Sequence, residues 1–211
     1  FRKLQESLNG LFGGGKKRGG EIGSGSGGGF GLLFVGLGLL AAIWLYSAIY
    51  VVDDACPDGS GKLVADKCKD KRVQVLTHSV NQGVGGAVLT GYAKGLEDGM
   101  DIMVKIDGDG QMDPNLLPAI IAPIVSGRAD YSKGNRFDTL ESLEQMPKVR
   151  IFGNAVLSLM SKISTGYWNI TDPTNGYTAI HRSILSQLPM AKVHKRFFFE
   201  SDMLYRLAVM R

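Results

Sequence analysis

Ile102-Met103-Val104-Lys105-Ile106-Asp107-Gly108-Asp109-Gly110-Gln111 is the stretch on which the fold turns. Residues 102–106 are apolar at four of five positions and read as a strand. The strand runs straight into Asp107 and Asp109, two carboxylates one residue apart. In an open parallel sheet, ligands bind beyond the carboxyl ends of the strands. Carboxylates spaced i, i+2 around a glycine can turn toward one hard cation. Mg²⁺ is commonly held by one or two carboxylates with water and phosphate oxygens, and Mn²⁺ takes similar ligands. A solvated Asp-Gly turn would leave the same letters. An EF-hand loop would not, because Met112 stands where its glycine belongs and no glutamate fills the twelfth position.

Outward from this stretch, Arg72–Leu76, Tyr131–Phe137 and Gly176–His181 read as further strands. Between them lie helical patterns over Gly61–Lys69, Val84–Glu97, Pro114–Val125, Lys148–Ile163 and Phe198–Met210. Alternation of this kind predicts an α/β domain with a mainly parallel, Rossmann-like sheet and helices on both faces.

Two more words carry chemistry. Val51-Val52-Asp53-Asp54-Ala55-Cys56-Pro57-Asp58-Gly59-Ser60 reads as a strand end, an acidic turn and a helix start. Its carboxylates could accept hydrogen bonds from a ribose or a base, or simply cap the turn. Asn81-Gln82-Gly83-Val84-Gly85-Gly86-Ala87 opens a helix with glycines, which lets main-chain N–H groups approach a phosphate.

The first 52 residues differ in texture. Fourteen of the 29 glycines lie between Gly10 and Gly38, and residues 1–29 read as a Gly-rich disordered tail. Phe30–Val52 holds 23 residues without a charge, roughly 34 Å of helix against a bilayer core of about 30 Å. Trp44, Tyr46 and Tyr50 gather at one end, as in an interfacial aromatic belt. A transmembrane helix over 30–52 is expected, followed by a catalytic domain over 53–211. Phe1 rather than Met at the start, and Arg211 inside an apolar-periodic run, predict truncation at both ends. Cys56 and Cys68 are too few for a disulfide scaffold or a four-cysteine zinc site. A net charge of +4 gives no argument for nucleic acid.

Taken in order, VVDDACPDGSG, NQGVGGA and KIDGDGQ resemble the inverting glycosyltransferases of family 2, whose nucleotide-sugar-binding fold is called GT-A. Lys133-Gly134-Asn135-Arg136-Phe137 is similar to that family's G-S-R-F. Asp172-Pro173-Thr174-Asn175-Gly176-Tyr177 resembles the acceptor loop of the branch that makes dolichol- and polyprenyl-phosphate sugars. Phe198-Phe199-Glu200-Ser201-Asp202 is similar to that branch's F-E-x-E/D helix start. The resemblance covers residues 51–211.

It implies sugar transfer, with inversion, from a UDP- or GDP-linked donor to a polyprenyl- or dolichyl-type lipid phosphate in a membrane. Asp53, Asp54, Asn81, Gly83 and Asp107 would bind the donor. Asp107 and Asp109 would hold Mg²⁺ or Mn²⁺. Arg136 and Arg150 would grip the acceptor phosphate, and Asp172, Glu200 or Asp202 would act as base or orienter. A nucleotidyltransferase would also use paired carboxylates, but nothing in it calls for the Asp172 loop or the Phe198–Asp202 element.

The family's first strand, central in its sheet, has no counterpart before Val51, so an incomplete GT-A domain is expected. Residues 1–53 instead resemble the start of HflK, the stomatin/prohibitin-type partner of the FtsH protease. The two resemblances meet at Val51-Val52-Asp53, which predicts a chimeric join. A non-catalytic, HflK-like membrane fragment is the alternative. The expected location is the inner membrane, single-pass, with the catalytic domain on the cytoplasmic face.

Overall fold

The computed structural model describes residues 48–136 and 148–210. The Gly-rich tail and most of the expected transmembrane span, residues 1–47, lie outside the described residues, as does Phe137.

Strand β1 (Ile49–Asp53) is followed by α1 (Ser60–Lys67), β2 (Val73–Thr77), α2 (Val84–Glu97) and β3 (Ile102–Lys105). A 3₁₀ turn (Pro114–Leu116) leads into α3 (Leu117–Val125) and β4 (Tyr131–Lys133). Helix α4 (Lys148–Thr165), β5 (Thr178–His181), α5 (Arg182–Leu185), a 3₁₀ turn (Met190–Lys192) and α6 (Phe199–Val209) complete the order.

The span expected to end at Val52 is corrected at its end: Ile49–Val52 are strand, not helix. Ile49, Val51 and Val52 are β-branched and Tyr50 is aromatic, which suits a pleated surface. β1 pairs in parallel with β2 from Ile49↔Val73 to Asp53↔Thr77, satisfying main-chain groups along its length. Tyr50 ties the strand to α2 through a 2.6 Å hydrogen bond to Asp98. The domain therefore starts by residue 49 rather than 53. Among the described residues no helix is long and apolar enough to cross a membrane.

The mainly parallel sheet is corrected to a mixed arrangement. β1–β2 is parallel, while β3–β5–β4 is antiparallel, with β5 central. Antiparallel neighbours could be joined by a tight turn, whereas here the stretch carrying α4 stands between β4 and β5 in the chain. Among the described residues β1 pairs only with β2, and β3 only with β5. Each therefore keeps one edge without a described strand beside it. Helix α2 covers both sheets: Gly91 faces Val52, and Gly95 faces Met103 and Tyr50. Leu89 and Tyr92 of α2, Met103, Ile180 and the α6 residues Phe199, Met203 and Leu207 close one core.

Candidate active site

Three strand ends meet at the site. Lys105 on β3 and Lys133 on β4 both stand opposite Thr178 of the central strand β5. Residues directly opposite across a ladder put their side chains on one face, so both lysines rise from the same side of the sheet. Each is at the carboxyl end of its strand, as the strand-end argument requires.

Lys105 is 6% exposed and its charge is fully engaged. Its Nζ lies 2.9 Å from Asp107 Oδ1 and 2.7 Å from Glu200 Oε1. A buried ammonium without such partners would be very unfavourable. Gly176 makes room for this pair, because a Cβ there would collide with Asp107 Oδ2 and Lys105 Nζ. The glycine of the Asp172 loop thus serves close packing against the acidic strand end.

Lys133 donates to the Asn175 carbonyl. Burial pushes its ammonium down to about 8, against the pull of Glu200 and Asp172. Three residues on, Arg136 meets the buried Asp172 as a fork: Nε to Oδ2 at 2.7 Å and an Nη to Oδ1 at 2.8 Å. The Arg136 main-chain N–H adds a third bond at 3.1 Å, and Thr174 Oγ1 accepts from the guanidinium at 3.0 Å. Burial works against the charge on Asp172, yet the Arg136 bonds hold its carboxyl below the usual range. Close by, the buried hydroxyl of Tyr177 finds no hydrogen-bond partner among the described residues.

The three candidate bases are therefore all engaged. Asp172 is paired with Arg136 and Glu200 with Lys105. Asp202 accepts from the His194 amide at 2.7 Å and from Arg206 Nε at 2.9 Å. It fixes the 192–196 loop rather than facing the sheet end. Arg136 lies at the site, while Arg150 falls in the first turn of α4 and its side chain lies outside the described part.

The expected donor-binding residues form a second group at the end of β1. Asp53 accepts from the Cys56 amide at 2.8 Å and from the Gly61 amide at 2.9 Å, closing the turn into α1. Asp54 accepts from the amides of Gln82 and Gly83, each at 2.8 Å, and lies 2.7 Å from His78 Nδ1. Burial opposes the charge on Asp54, but these partners hold its carboxyl low. Asn81 Nδ2 donates to the Asp54 carbonyl at 3.1 Å. The glycine word reads differently here than a phosphate cradle would. Gly83 has φ 87° and a Cβ on it would stand 2.6 Å from the Lys195 carbonyl. That carbonyl accepts from the Gly86 amide at 3.1 Å. The glycines admit the 194–196 loop over the α2 N-terminus, and the amides of Gln82, Gly83 and Gly86 are committed within the chain.

Asp107 and Asp109 suit a hard divalent cation in chemistry. Asp109 is exposed, with one oxygen on the Gln111 amide at 3.0 Å. Among the described residues no three His, Cys, Asp or Glu side chains gather in a metal-binding group. Two carboxylates fit an ion that takes its other ligands from water and phosphate.

The sequence reading assigns no role to Lys105 or Lys133. Their signal is a lysine at the carboxyl end of a strand, Ile-Met-Val-Lys for Lys105 and Tyr-Ser-Lys for Lys133, where burial is expensive unless the charge is used.

The sequence has known relatives. The glycosyl transferase family 2 model matches residues 38–188, and the chain belongs to that family. The chain is 34% identical over 164 residues to an undecaprenyl-phosphate mannosyltransferase of Micrococcus luteus, covering 77% of this chain and 66% of that protein. It is 31% identical over 165 residues to a UDP-N-acetylglucosamine–dolichyl-phosphate N-acetylglucosaminyltransferase of Methanococcus voltae, covering 72% and 65%. A polyprenol monophosphomannose synthase of Mycolicibacterium smegmatis is 30% identical over 161 residues, covering 75% and 60%. The matched stretch thus spans just under two thirds of each relative's length. The family match begins 13 residues before Val51, upstream of the expected join. The HflK-type likeness of residues 1–53 gains no support from these comparisons.

Proposed function

We propose that the protein transfers a sugar from a nucleotide-sugar donor to the phosphate of a polyprenyl- or dolichyl-type lipid, with inversion. The observation that carries this is the row of cations at the sheet end, Lys133 and Arg136 beside the Asp172 loop. Arg136 turns its Nε and one Nη toward Asp172, and Lys133 spends one donor on the Asn175 carbonyl. An ammonium has three donors and a guanidinium five, so both keep N–H groups for a phosphate.

A phosphate acceptor resolves the state of the carboxylates. A phosphomonoester has a second pKa near 6, so its oxygen is already a nucleophile at neutral pH and needs no base. That oxygen attacks the anomeric carbon. The bond from this carbon to the donor's diphosphate breaks, and the electron pair leaves on the nucleoside diphosphate. Asp172 then holds the Arg136 fork in place, and Glu200 holds Lys105 against Asp107. Asp107 and Asp109 would hold Mg²⁺ or Mn²⁺, which supplies charge stabilisation to the leaving diphosphate. Asp53, Asp54, Asn81 and Gly83 would shape the nucleoside end of the site through the Asp54-centred hydrogen bonds. Arg150 is a second candidate for the acceptor phosphate. We place the reaction at the cytoplasmic face of the inner membrane, where sugar nucleotides are available.

The names of the relatives support this reading, since each joins a sugar to a lipid phosphate. The test is to reconstitute the protein with Mn²⁺, a labelled UDP- or GDP-sugar and a polyprenyl phosphate. Label should pass into the organic phase as an acid-labile phosphodiester. Transfer only to water or to soluble sugars would overturn the reading.

A further inference from the structure

Lys105 is a buried charge to which the proposed transfer gives no task of its own. Its Nζ is held from two elements, by Asp107 Oδ1 at 2.9 Å just past β3 and by Glu200 Oε1 at 2.7 Å on α6. The ammonium therefore cannot swing out to follow a ligand. Gly176 closes a further side, since a Cβ there would collide with Asp107 Oδ2 and Lys105 Nζ. Salt and water screen an exposed ion pair, but they reach a buried one far less. Asp107 thus carries a fixed positive charge behind it. Its own side chain stays 33% exposed, so an ion can still reach it.

That charge bears on the divalent cation which Asp107 and Asp109 suit. An ion on Asp107 would share the carboxylate with an ammonium that is already bonded to it. Among the described residues no third His, Cys, Asp or Glu joins the two in a metal-binding group. The affinity of such a site follows the charge and number of its ligands, and here both are low. The charge of the whole sheet end points the same way. Asp107, Asp109, Asp172 and Glu200 stand against Lys105, Lys133 and Arg136, which leaves one negative charge at neutral pH. A divalent ion alone would turn this end positive. A donor's diphosphate alone would add about two negative charges to it. The two together leave its charge as it was.

We infer that Lys105, acting through Asp107, keeps the Asp107–Asp109 pair from holding a divalent cation by itself, so that the ion enters with the donor's diphosphate and departs with the nucleoside diphosphate. This rests on the nucleotide-sugar reading of the site. Glu200 is the counterweight: it draws on the same ammonium and so sets how much of the charge Asp107 feels.

The test uses the full chain in detergent with Mn²⁺ as the probe, free Mn²⁺ being read from its electron paramagnetic resonance signal. Without nucleotide, Lys105→Met should bind Mn²⁺ at least about 10-fold more tightly than the unaltered protein. Lys105→Met combined with Glu200→Gln removes the buried pair with no change of net charge, and replacing such a pair whole is often tolerated. It too should bind Mn²⁺ more tightly, which net charge alone would not produce. Glu200→Gln by itself leaves the ammonium to Asp107 and should weaken Mn²⁺ binding at least about 3-fold; it decides the matter if the lysine variants do not fold. Equilibrium dialysis of the unaltered protein should retain a labelled UDP- or GDP-sugar at least about 10-fold better with Mn²⁺ than without it. Lysine variants that bind Mn²⁺ no more tightly, a Glu200→Gln variant that binds it no more weakly, or retention of sugar nucleotide that ignores Mn²⁺ would each overturn the inference. All the expected binding results, with no label passing to polyprenyl phosphate, would leave it standing and remove the proposed lipid acceptor instead.

Discussion

Arg136 and Asp172 show how a single pair can define a site and hide its logic. The sequence offers Asp172 as a base and Arg136 as a phosphate grip. The structure joins them in a fork, in which the carboxylate holds the guanidinium in place. Lys133 is the more revealing group. Burial lowers its ammonium to about 8. Below that pH it is charged, and above it the phosphate loses an attraction. The acceptor KM should therefore rise as pH passes about 8, with the donor KM steady; a flat acceptor profile to pH ~9.5 would take Lys133 out of the acceptor site. Stability moves the other way. The folded value lies below the unfolded value of about 10.4, so the penalty of burying this charge is full below pH 8 and is relieved as pH rises toward 10.4. Tyr177 offers a second residue-scale check. Its buried hydroxyl has no described partner, so Tyr177→Phe should leave thermal stability unchanged or raise it slightly. A loss of more than about 2 kcal/mol in denaturant unfolding would show that the hydroxyl is bonded after all.

At the scale of elements, the turn after β1 stores strain. Ala55 has φ 57°, the one non-glycine residue with positive φ among those described. The left-handed region costs an alanine roughly 1 kcal/mol that a glycine does not incur. Ala55→Gly should raise unfolding stability by about that amount in urea titration. No gain, or a loss, would mean that the Asp53 bonds to Cys56 and Gly61 do not set this turn. Much of this level was legible. The alternation of apolar runs places α2 at its observed bounds and α1, α3, α4, α6, β2, β3, β4 and β5 within a few residues, but neither the short α5 nor the Met190–Lys192 turn. What misled was the uncharged run ending at Val52. Hydropathy along 30–52 speaks only of partition into lipid, and it cannot register that Ile49–Asp53 has a parallel partner in Val73–Thr77. Strand direction was equally hidden, because a four-residue strand such as Thr178–His181 has the same pattern in either sense. The glycine word at 81–87 was visible, but its cause was not. Nothing local to it indicates that the 194–196 loop, more than 100 residues later, lies on those glycines.

For the whole molecule, stability and chemistry share the same charges. Asp172 is held below its ordinary range by Arg136, and Asp54 by the Gln82, His78 and Gly83 groups. A carboxylate lowered in the folded state contributes stability that is full above the unfolded value of about 3.9 and is lost as pH falls through the folded one. Unfolding followed against pH should therefore show an acid limb below about pH 4 that Asp172→Asn reduces. An unchanged limb would mean that the pair adds no net stability. Gly176 ties stability to the site, since Gly176→Ala would push apart the Lys105–Asp107 pair; it should lower unfolding free energy by at least about 1 kcal/mol and the transfer rate by about 10-fold.

The central claim is that the cations at the sheet end seat a lipid phosphate rather than the donor. Lys133→Met is the variant to measure, because it keeps the length of the side chain at this partly buried position and removes the charge. Initial rates of transfer from a nucleotide sugar to polyprenyl phosphate are taken with each substrate varied in turn. The expected result is an acceptor KM raised at least about 10-fold with the donor KM unchanged. An unchanged acceptor KM, or a rise confined to the donor, would contradict it.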